Sequence, residues 1–332
     1  MLPTADETRP DRMRPLRAKL IFNPASGRPD ESARQLVEII THLQHWQIMA
    51  EVLLVFPETD VPEAVRQAVR QGFNLVIASG GDGTIDNVAG ALVGTTATLG
   101  IIPTGTRNNV AYSLGIPSDI QAAVRLLRMG RRNRVDIGRA VCGQNSRWFL
   151  EAVSVGLLSA LFPAADDIQH GHLERIGDLL STLVNAPAAE IRLRLDGNRN
   201  WITAQGHMVL ISNMPYLGAH YQIASNVSFN DNRLDVLIYA NLSKLDLIGY
   251  AVQATSGIPE DARIQRFQVR RLDVSSEPPL PVMADGFMLG EGPLNVTLRR
   301  QGLAVMVGDV SEKQAQPLPI KETTLEAGVH ER

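Results

Sequence analysis

The sequence predicts an α/β protein of two domains, a doubly wound and mostly parallel sheet followed by a mainly antiparallel, β-sandwich-like domain. In the first half, short apolar runs alternate with segments whose apolar residues recur at helical spacing, which is typical of a parallel sheet with helices between its strands. In the second half, apolar and charged residues alternate, as at 191–195, which indicates half-exposed antiparallel strands. A length of 332 residues fits two domains.

The first half predicts four strands and five helices. The strands are expected at 18–22, 52–56, 75–78 and 99–102, and the helices at 30–46, 60–72, 84–92, 108–114 and 118–129. Asp60, Pro62 and Glu63 favour a helix start, because Asp can cap it, Pro is tolerated in its first turn and Glu completes a capping box. Gly72 and Gly130 are typical of helix ends.

The second half predicts one long helix and several strands. The helix is expected at 172–184, and the strands at 191–195, 207–212, 234–239, 266–274 and 294–298. Residues 196–198 read Asp-Gly-Asn, which favours a hairpin turn. An apolar stretch rich in small residues, 148–158, precedes the helix.

Composition narrows the range of functions. The formal net charge of -3 gives no case for nucleic-acid binding. The single cysteine, Cys142, excludes an internal disulfide and fits a reducing compartment. No apolar run reaches the roughly 20 residues that cross a bilayer, and the N-terminal residues lack the apolar core of a signal peptide. We therefore expect a cytoplasmic protein with no transmembrane segment and no nucleic-acid partner.

Three glycine-rich loops each follow an apolar strand and lead into a helix. They are Asn23-Pro24-Ala25-Ser26-Gly27, Gly80-Gly81-Asp82-Gly83-Thr84 and Pro103-Thr104-Gly105-Thr106-Arg107-Asn108-Asn109. The carboxyl ends of parallel strands meet at one edge of a sheet, and glycines let backbone N–H groups near a helix N-terminus approach an anion. A structural turn explains one such loop equally well, but three in succession favour a phosphate site. For Thr106, capping the next helix and contacting the ligand are equal alternatives.

The three loops, in this order and at these intervals, resemble the catalytic domain of the diacylglycerol kinase family, which includes sphingosine and ceramide kinases and bacterial lipid kinases. The resemblance implies a lipid kinase that transfers the γ-phosphoryl group of ATP, with Mg²⁺, to the hydroxyl of a diacylglycerol-type or sphingoid-base lipid. The implied nucleotide-binding residues are Asn23, Ser26, Gly27, Gly80, Gly81, Asp82, Gly83, Thr84, Thr104, Gly105, Thr106 and Asn108. Asp82 is also a catalytic candidate, placed to hold a metal ion or a hydroxyl group.

The domain limits follow from the change of pattern near residue 140 and from the resemblance. A nucleotide-binding α/β domain is expected at 16–140, and the family's chain returns to that domain near its end, here at about 301–310. The β-rich lipid-substrate domain is expected at 141–300. The polar segments 1–15 and 311–332 are expected to be flexible.

Asp285 is the predicted catalytic base, because residues 282–286 resemble the family's late Asp-Gly-Glu segment, whose acids act in proton removal and metal handling. A plain hairpin turn is the alternative. Phe287 stands where the second acid is usual, Asn87 where a Glu is usual and Asn109 where an Asp is common. Metal and proton handling therefore depart from the family pattern.

A structural Mg²⁺ is implied at residues 230–236, which resemble the family's Asp-Gly-x-Leu-Asp segment. Asp231 would be a ligand, and the carbonyl oxygens of Ser228 and Arg233 are two further candidates. Such oxygen ligands suit Mg²⁺ or Ca²⁺. An ordinary Asn-Asp-Asn turn explains the segment equally well.

Two other functions stay open beside the lipid kinase. NAD kinases, which phosphorylate a soluble substrate, share a GGDGT loop, but they have no counterparts of the other two loops. A nucleotide- or lipid-binding protein with weakened or lost turnover would fit the three absent acids. A lipid kinase without a membrane span is expected to associate with the membrane surface transiently, and a homodimer is one open form of assembly.

Overall fold

A computed structural model describes residues 14–169, 173–186, 188–217, 221–222, 228–247 and 263–308. The segments expected to be flexible, 1–15 and 311–332, lie outside the described residues except for residues 14 and 15. The first residue of the predicted helix 172–184 also lies outside them.

The first half forms a layer of parallel strands flanked by helices. Its elements are β1 (Leu16–Phe22), α1 (Ser32–His45), β2 (Ile48–Leu54), α2 (Val61–Arg70), β3 (Leu75–Gly80), α3 (Asp82–Leu92), β4 (Thr98–Pro103), α4 (Asn109–Ser113) and α5 (Ile120–Met129). The strands lie in the order β2, β1, β3, β4, and all of these pairs are parallel. Every residue of β3 and β4 is buried, as is typical of central strands in such a sheet.

Two helices begin where their capping residues predict. Asp60 Oδ1 accepts a hydrogen bond from Glu63 N at 2.9 Å at the start of α2. Asp119 Oδ1 accepts one from Ala122 N at 2.8 Å at the start of α5. Each carboxylate satisfies a backbone N–H group that has no partner within its helix, so the local sequence defines these starts.

The second half is mainly antiparallel. Its elements are β5 (Arg131–Cys142), β6 (Asn145–Phe149), β7 (Ala152–Gly156), α6 (Leu157–Gln169), α7 (Ile176–Asn185), β8 (Ala189–Leu195), β9 (Ile202–Ser212), β10 (Tyr216–Leu217), β11 (Tyr221–Gln222), β12 (Leu234–Ala240), β13 (Ile264–Val269), β14 (Arg271–Glu277), β15 (Pro281–Ala284), β16 (Phe287–Glu291) and β17 (Leu294–Val307). The main path of strands is β16, β15, β7, β9, β8, β14, β17, and β17 then joins the parallel strands.

The last strand, β17, connects the two halves. Its first residues pair antiparallel with β14, whereas residues 304–305 pair in parallel with β4. From Leu294 to Val307, β17 also runs antiparallel to β5, with an irregularity between Arg299 and Leu303. There, Asp136 of β5 accepts a hydrogen bond from Gln301 N at 2.6 Å and another from Asn232 N at 2.7 Å. One buried carboxylate thus fixes the crossing point of the two halves.

Three segments that the sequence pattern singled out in the second half take a different form in the structure, which also has strands that were not predicted, among them β5, β6, β15 and β16. The predicted strand 266–274 is two strands, β13 and β14, because β13 pairs with β12 whereas β14 pairs with β8 and β17. The apolar stretch 148–158 contains β7 and the start of α6. Within the described residues, the predicted helix 172–184 starts as a single 3₁₀ turn at 173–175 and continues as α7.

The described residues form two main apolar cores, one in the parallel layer and one among the antiparallel strands. Leu20, Ile77 and Ile101 belong to the core of the parallel layer. Val209 and Val236 belong to the core of the antiparallel strands. No helix in the described part of the chain is long and apolar enough to cross a membrane.

Candidate active site

The three glycine-rich loops touch one another at the carboxyl ends of β1, β3 and β4. Asn23 Nδ2 donates to Thr84 Oγ1 at 3.0 Å, and Gly81 N donates to Ser26 Oγ at 3.2 Å, so the first loop is bonded to the second. The third loop is bonded to the second through a backbone hydrogen bond of 3.2 Å, from the N–H of residue 104 to the carbonyl of residue 80. The structure gathers the predicted nucleotide-binding residues, and their contact with a nucleotide stays a prediction.

Close approach of backbone to backbone explains two of the loop glycines. Gly27 has a φ of +69°, and a Cβ on it would lie 2.1 Å from the Thr104 carbonyl oxygen. A Cβ on Gly105 would lie 2.3 Å from Gly81 Cα. Any larger side chain would force these loops apart, so glycine is required for the contact itself.

The third loop is closed by Asn108, which precedes α4 in the left-handed conformation with a φ of 54°. Its Oδ1 accepts from Gly105 N at 3.0 Å, and its Nδ2 donates to Gly105 O at 2.8 Å. Because Asn108 occupies the N-cap position of α4, the capping alternative for Thr106 is wrong. Thr106 lies exposed on the loop, and ligand contact by Thr106 stays a prediction.

Asp82 is the first residue of α3 and bonds to the third loop. Its Oδ1 accepts a hydrogen bond from Val110 N at 3.1 Å. Burial raises the pKa of Asp82, whereas the N–H groups of Val110 and Asn109 and the charge of Arg107 lower it. Asp82 therefore holds the start of α4 against the GGDGT loop, and a role as metal or hydroxyl ligand stays a prediction.

Four carboxyl groups lie close enough to perturb one another beside these loops. Asp82 and Asp86 are one helical turn apart on α3, Glu151 lies between β6 and β7, and Asp285 lies between β15 and β16. Burial first, and then the charges of Asp285, Glu151 and Asp82, raise the pKa of Asp86 well above its ordinary value. Asp86 is only 4% exposed, and neither of its carboxylate oxygens has a hydrogen-bond partner among the described residues.

Glu151 is the second buried acid of this carboxylate cluster. Asn109 Nδ2 donates to Glu151 Oε2 at 2.9 Å, which leaves Asn109 Oδ1 buried without a partner in the described structure. Burial and the nearby charges of Asp82 and Asp285 raise the pKa of Glu151 well above its ordinary value. Buried acids in this state favour their neutral forms until a cation or a donor approaches them.

Asp285 belongs both to a hairpin turn and to the carboxylate cluster. Asp285 lies in the turn between β15 and β16 and has a φ of 43°, so its backbone has the turn conformation that the hairpin alternative predicts. Its carboxylate accepts three backbone hydrogen bonds, from Leu150 N at 2.6 Å, Glu151 N at 3.1 Å and Ala152 N at 2.8 Å. Burial raises the pKa of Asp285 to about 6, although these N–H groups and Arg147 oppose the rise.

Arg147 of β6 contacts two of the three residues that stand where family acids are usual. Its Nη2 donates to Asn87 Oδ1 at 3.1 Å, and its Cζ lies 3.4 Å from the centre of the Phe287 ring. The charges of Asp86 and Asp285 favour the charged form of Arg147, whereas burial lowers its pKa. The chain thus places a guanidinium group next to the carboxylate cluster.

Sequence reasoning missed Asp86, Glu151 and Arg147. A signal for Asp86 was present, because residues four apart on a helix share one face and Asp82 was already a candidate. No local pattern marks Glu151 or Arg147, since the long-range packing of β6 against α3 and β16 brings them to the site.

The predicted metal loop has the hydrogen bonds of a turn. Asp231 Oδ1 accepts from Arg233 N at 3.0 Å, and Ser228 Oγ donates to Asn230 Oδ1 at 2.8 Å. Burial and the nearby acids Asp235 and Asp136 raise the pKa of Asp231. Within the described ranges, no three His, Cys, Asp or Glu side chains are grouped so as to hold a metal ion. Mg²⁺ at Asp231, Ser228 and Arg233 stays a prediction.

Glycine-rich loops that can bind phosphate, next to a cluster of carboxyl groups, are typical of proteins that transfer phosphoryl groups. Comparison with known proteins gives the family. Residues 17–140 match the diacylglycerol kinase catalytic domain, and residues 152–307 match the YegS C-terminal NAD kinase beta sandwich-like domain. The chain therefore carries a diacylglycerol kinase catalytic domain at 17–140, followed by a YegS-type C-terminal domain at 152–307, and the two matches together span most of its length.

Relatives and solved structures agree with this assignment. A diacylglycerol kinase of Bacillus subtilis is 27% identical over 277 residues, which are 81% of this chain and 89% of the relative. A diacylglycerol kinase of Staphylococcus aureus is 25% identical over 291 residues, 84% of this chain and 88% of the relative. A crystal structure of a diacylglycerol kinase from Bacillus anthracis has a TM-score of 0.68 at 21% identity and covers 88% of this chain and 97% of that chain. At 21% identity, this structural similarity shows that the two chains share a fold.

These matches confirm the predicted family, the two-domain fold class and the enzyme class, a kinase. The numerical domain limits and the roles of the individual site residues stay predictions.

Proposed function

We propose that this protein transfers the γ-phosphoryl group of ATP to the hydroxyl of a lipid alcohol of the diacylglycerol or sphingoid-base type. The observation that carries the proposal is the contact of three glycine-rich loops beside the four-carboxylate cluster. Two relatives that match over most of their length are named diacylglycerol kinases, which supports a lipid hydroxyl as the acceptor.

In this proposal the three loops hold the phosphates of ATP. Helix α3 starts at Asp82, within the second loop, so the positive end of its dipole lies at the loops and favours an anion. The glycines of the loops leave no side chains between the backbone and the phosphates. Asn23, Ser26 and Asn108 fix the loop conformations through their side chains, as the hydrogen bonds above describe.

The acids beside the loops carry the kind of oxygen atom that Mg²⁺ binds, although no three His, Cys, Asp or Glu side chains of the described residues are grouped around one position. Asp86 presents two buried oxygens without partners, and Asn109 presents one more, so the residues offer hard oxygen donors at a buried position. Asp86, Asn109 and Glu151 would hold the ion. Mg²⁺ in kinases takes one or two carboxylates from the protein and completes its shell with phosphate oxygens and water. When bound, the ion would neutralise charge that develops on the phosphates.

Asp285 would receive the proton of the attacking hydroxyl. A pKa of about 6 leaves the group mostly ionised at pH 7 and close to the value at which a general base is most effective. The three backbone N–H groups hold its carboxylate in one orientation.

The acceptor lipid would lie against α6. A Cβ on Gly286, the residue after Asp285, would lie 3.3 Å from the Phe162 ring of α6. The Arg107 guanidinium of the third loop lies 5.8 Å from the centre of the same ring. An apolar side chain therefore lies between the phosphate loops and the proposed base, where the hydrocarbon part of a lipid alcohol would pack. We infer that the enzyme meets this substrate at a membrane surface; a cytoplasmic location and a homodimer stay predictions.

The experiment is ADP release with Mg²⁺ and ATP in mixed micelles, each carrying a different lipid alcohol. Asp82→Ala is the inactive control, and Arg139→Gln is a control for surface charge, since Arg139 is exposed on β5. We expect ADP release that depends on the lipid and is lost in Asp82→Ala. Asp82-dependent ATP binding without release for any lipid would refute the kinase and favour a binding protein. Release with NAD but with no lipid would favour the soluble-substrate alternative.

A further inference from the structure

Arg147 is held by two contacts that leave part of its guanidinium unused. Asn87 Oδ1 accepts from one terminal nitrogen, and the Phe287 ring covers one face of the guanidinium. The Nε atom is buried and has no hydrogen-bond partner among the described residues. A buried donor without a partner is costly in a folded protein, so such a group indicates a ligand.

The Phe287 ring lies against the GGDGT loop. A Cβ on Gly83 would lie 3.8 Å from the Phe287 Cζ atom, so the ring reaches the second glycine-rich loop. The edge of the ring therefore lies near the GGDGT loop, and its face lies against the Arg147 guanidinium. Phe287 thus aligns a planar cation with the loop that is predicted to hold phosphates.

No carboxylate is hydrogen-bonded to Arg147 within the described residues. Asp86 and Asp285 act on Arg147 electrostatically, yet neither lies within hydrogen-bonding distance of it in the described structure. Its fixed contacts are an amide oxygen and an aromatic face, which neutralise no charge. A guanidinium stacked on a ring keeps its N–H groups in its own plane, parallel to the ring, and two of them can bind phosphate oxygens side by side.

We propose that Arg147, stacked on Phe287 and fixed by Asn87, binds the terminal phosphate oxygens of the nucleotide. The proposal rests on the nucleotide site of the proposed function and adds a residue to it. Asn87 and Phe287 stand where family acids are usual, so this chain brings a cation of its own where acids would recruit a metal ion. Arg147 then stabilises charge on the phosphoryl group during transfer.

The test compares ATP with AMP, because AMP lacks the terminal phosphates. Calorimetric titrations with Mg²⁺ would use the wild type, Arg147→Gln, Arg147→Lys and Phe287→Leu. Arg139→Gln is the matched control, since Arg139 lies on the neighbouring strand β5 with its guanidinium 5.6 Å from the Trp148 ring. We expect Arg147→Gln to bind ATP about tenfold or more weakly, as is typical for loss of a hydrogen bond to a charged group. AMP affinity should stay within about twofold of the wild type.

The conservative variants separate charge from geometry. Arg147→Lys keeps the positive charge but loses the planar fork of the guanidinium. Phe287→Leu keeps Arg147 but removes the ring on which it stacks. Both variants should therefore weaken ATP binding less than Arg147→Gln does. Phe287 is 37% exposed, so Phe287→Leu still decides the question if Arg147→Gln does not fold. Thermal unfolding checks each variant.

Two results would overturn the proposal: an unchanged ATP affinity in folded Arg147→Gln, or an equal loss for AMP and ATP. Turnover measured in parallel distinguishes this proposal from the proposed function. Wild-type protein that phosphorylates no lipid, but binds ATP through Arg147, would refute the kinase and keep the phosphate contact. Wild-type turnover that is unchanged in Arg147→Gln would keep the kinase and refute the phosphate contact.

Discussion

Acidification should slow phosphoryl transfer through Asp285. Burial raises the pKa of this carboxyl group to about 6, well above the ordinary value for an aspartate, about 3.9. A general base works only when ionised, so activity is present above the folded-state pKa and is lost as the pH falls through it. A pKa of about 6 leaves roughly nine-tenths of Asp285 ionised at pH 7 and roughly one-tenth at pH 5. The value of kcat/KM, which reports the ionisation of groups in the free enzyme, should therefore fall about tenfold between pH 7 and pH 5.

The assay is kcat/KM, from initial rates at limiting substrate, across pH 5 to 8, roughly the range over which a group with this pKa changes its charge. Asp285→Asn should lower kcat/KM about 10²- to 10⁴-fold, as is typical for loss of a general base. Its residual activity should lack the acidic limb, because the titrating group is gone. A kcat/KM that is unchanged down to pH 5 would refute the reasoning, and so would an identical acidic limb in Asp285→Asn.

Three further predictions concern the loops, the metal site and the junction. Gly105→Ala should destabilise the fold by about 1–3 kcal/mol in chemical denaturation, because its Cβ would lie 2.3 Å from Gly81 Cα. Gly177→Ala, where a Cβ meets nothing within 4 Å, is the control, and equal stability of the two variants would contradict this packing. Mg²⁺ binding should release protons, because burial and its acidic neighbours keep the pKa of Asp86 well above its ordinary value. Calorimetry in two buffers of different ionisation enthalpy measures that release, which should shrink in Asp86→Asn. Asp136→Ala should lower the free energy of unfolding by about 2–5 kcal/mol, because two backbone N–H groups lose their acceptor. A loss below about 1 kcal/mol would contradict this and show that water replaces the carboxylate.

The loops could be predicted from the sequence because their signals are local. Each combines an apolar strand, glycines and a helix start within a few residues, and parallel strands bring such loops to one edge. Asp285 was also predictable, but only through its resemblance to a family segment. The structure adds that its carboxylate is bonded to the start of β7, about 130 residues earlier in the chain.

The rest of the site depends on contacts between distant parts of the chain. Glu151 and Arg147 reach the loops because the hairpin of β5 and β6 packs against α3 and β16. The strand β5 itself was missed, since its arginine-rich start, 131–134, hides the apolar alternation, and its main partner β17 lies far along the chain. The absent family acids suggested weakened chemistry, whereas the structure shows two other acids, Asp86 and Glu151, buried close by.

The most direct test of the central claim is the fate of the γ-phosphoryl group. Wild-type protein would be incubated with Mg²⁺, γ-labelled ATP and micelles that carry diacylglycerol or a sphingoid base, and the lipid would then be extracted. The account predicts label in the extracted lipid from the wild type and from Arg139→Gln, and none above background from Asp82→Ala. Label released only as inorganic phosphate, or label in the lipid that is equal in Asp82→Ala, would contradict it.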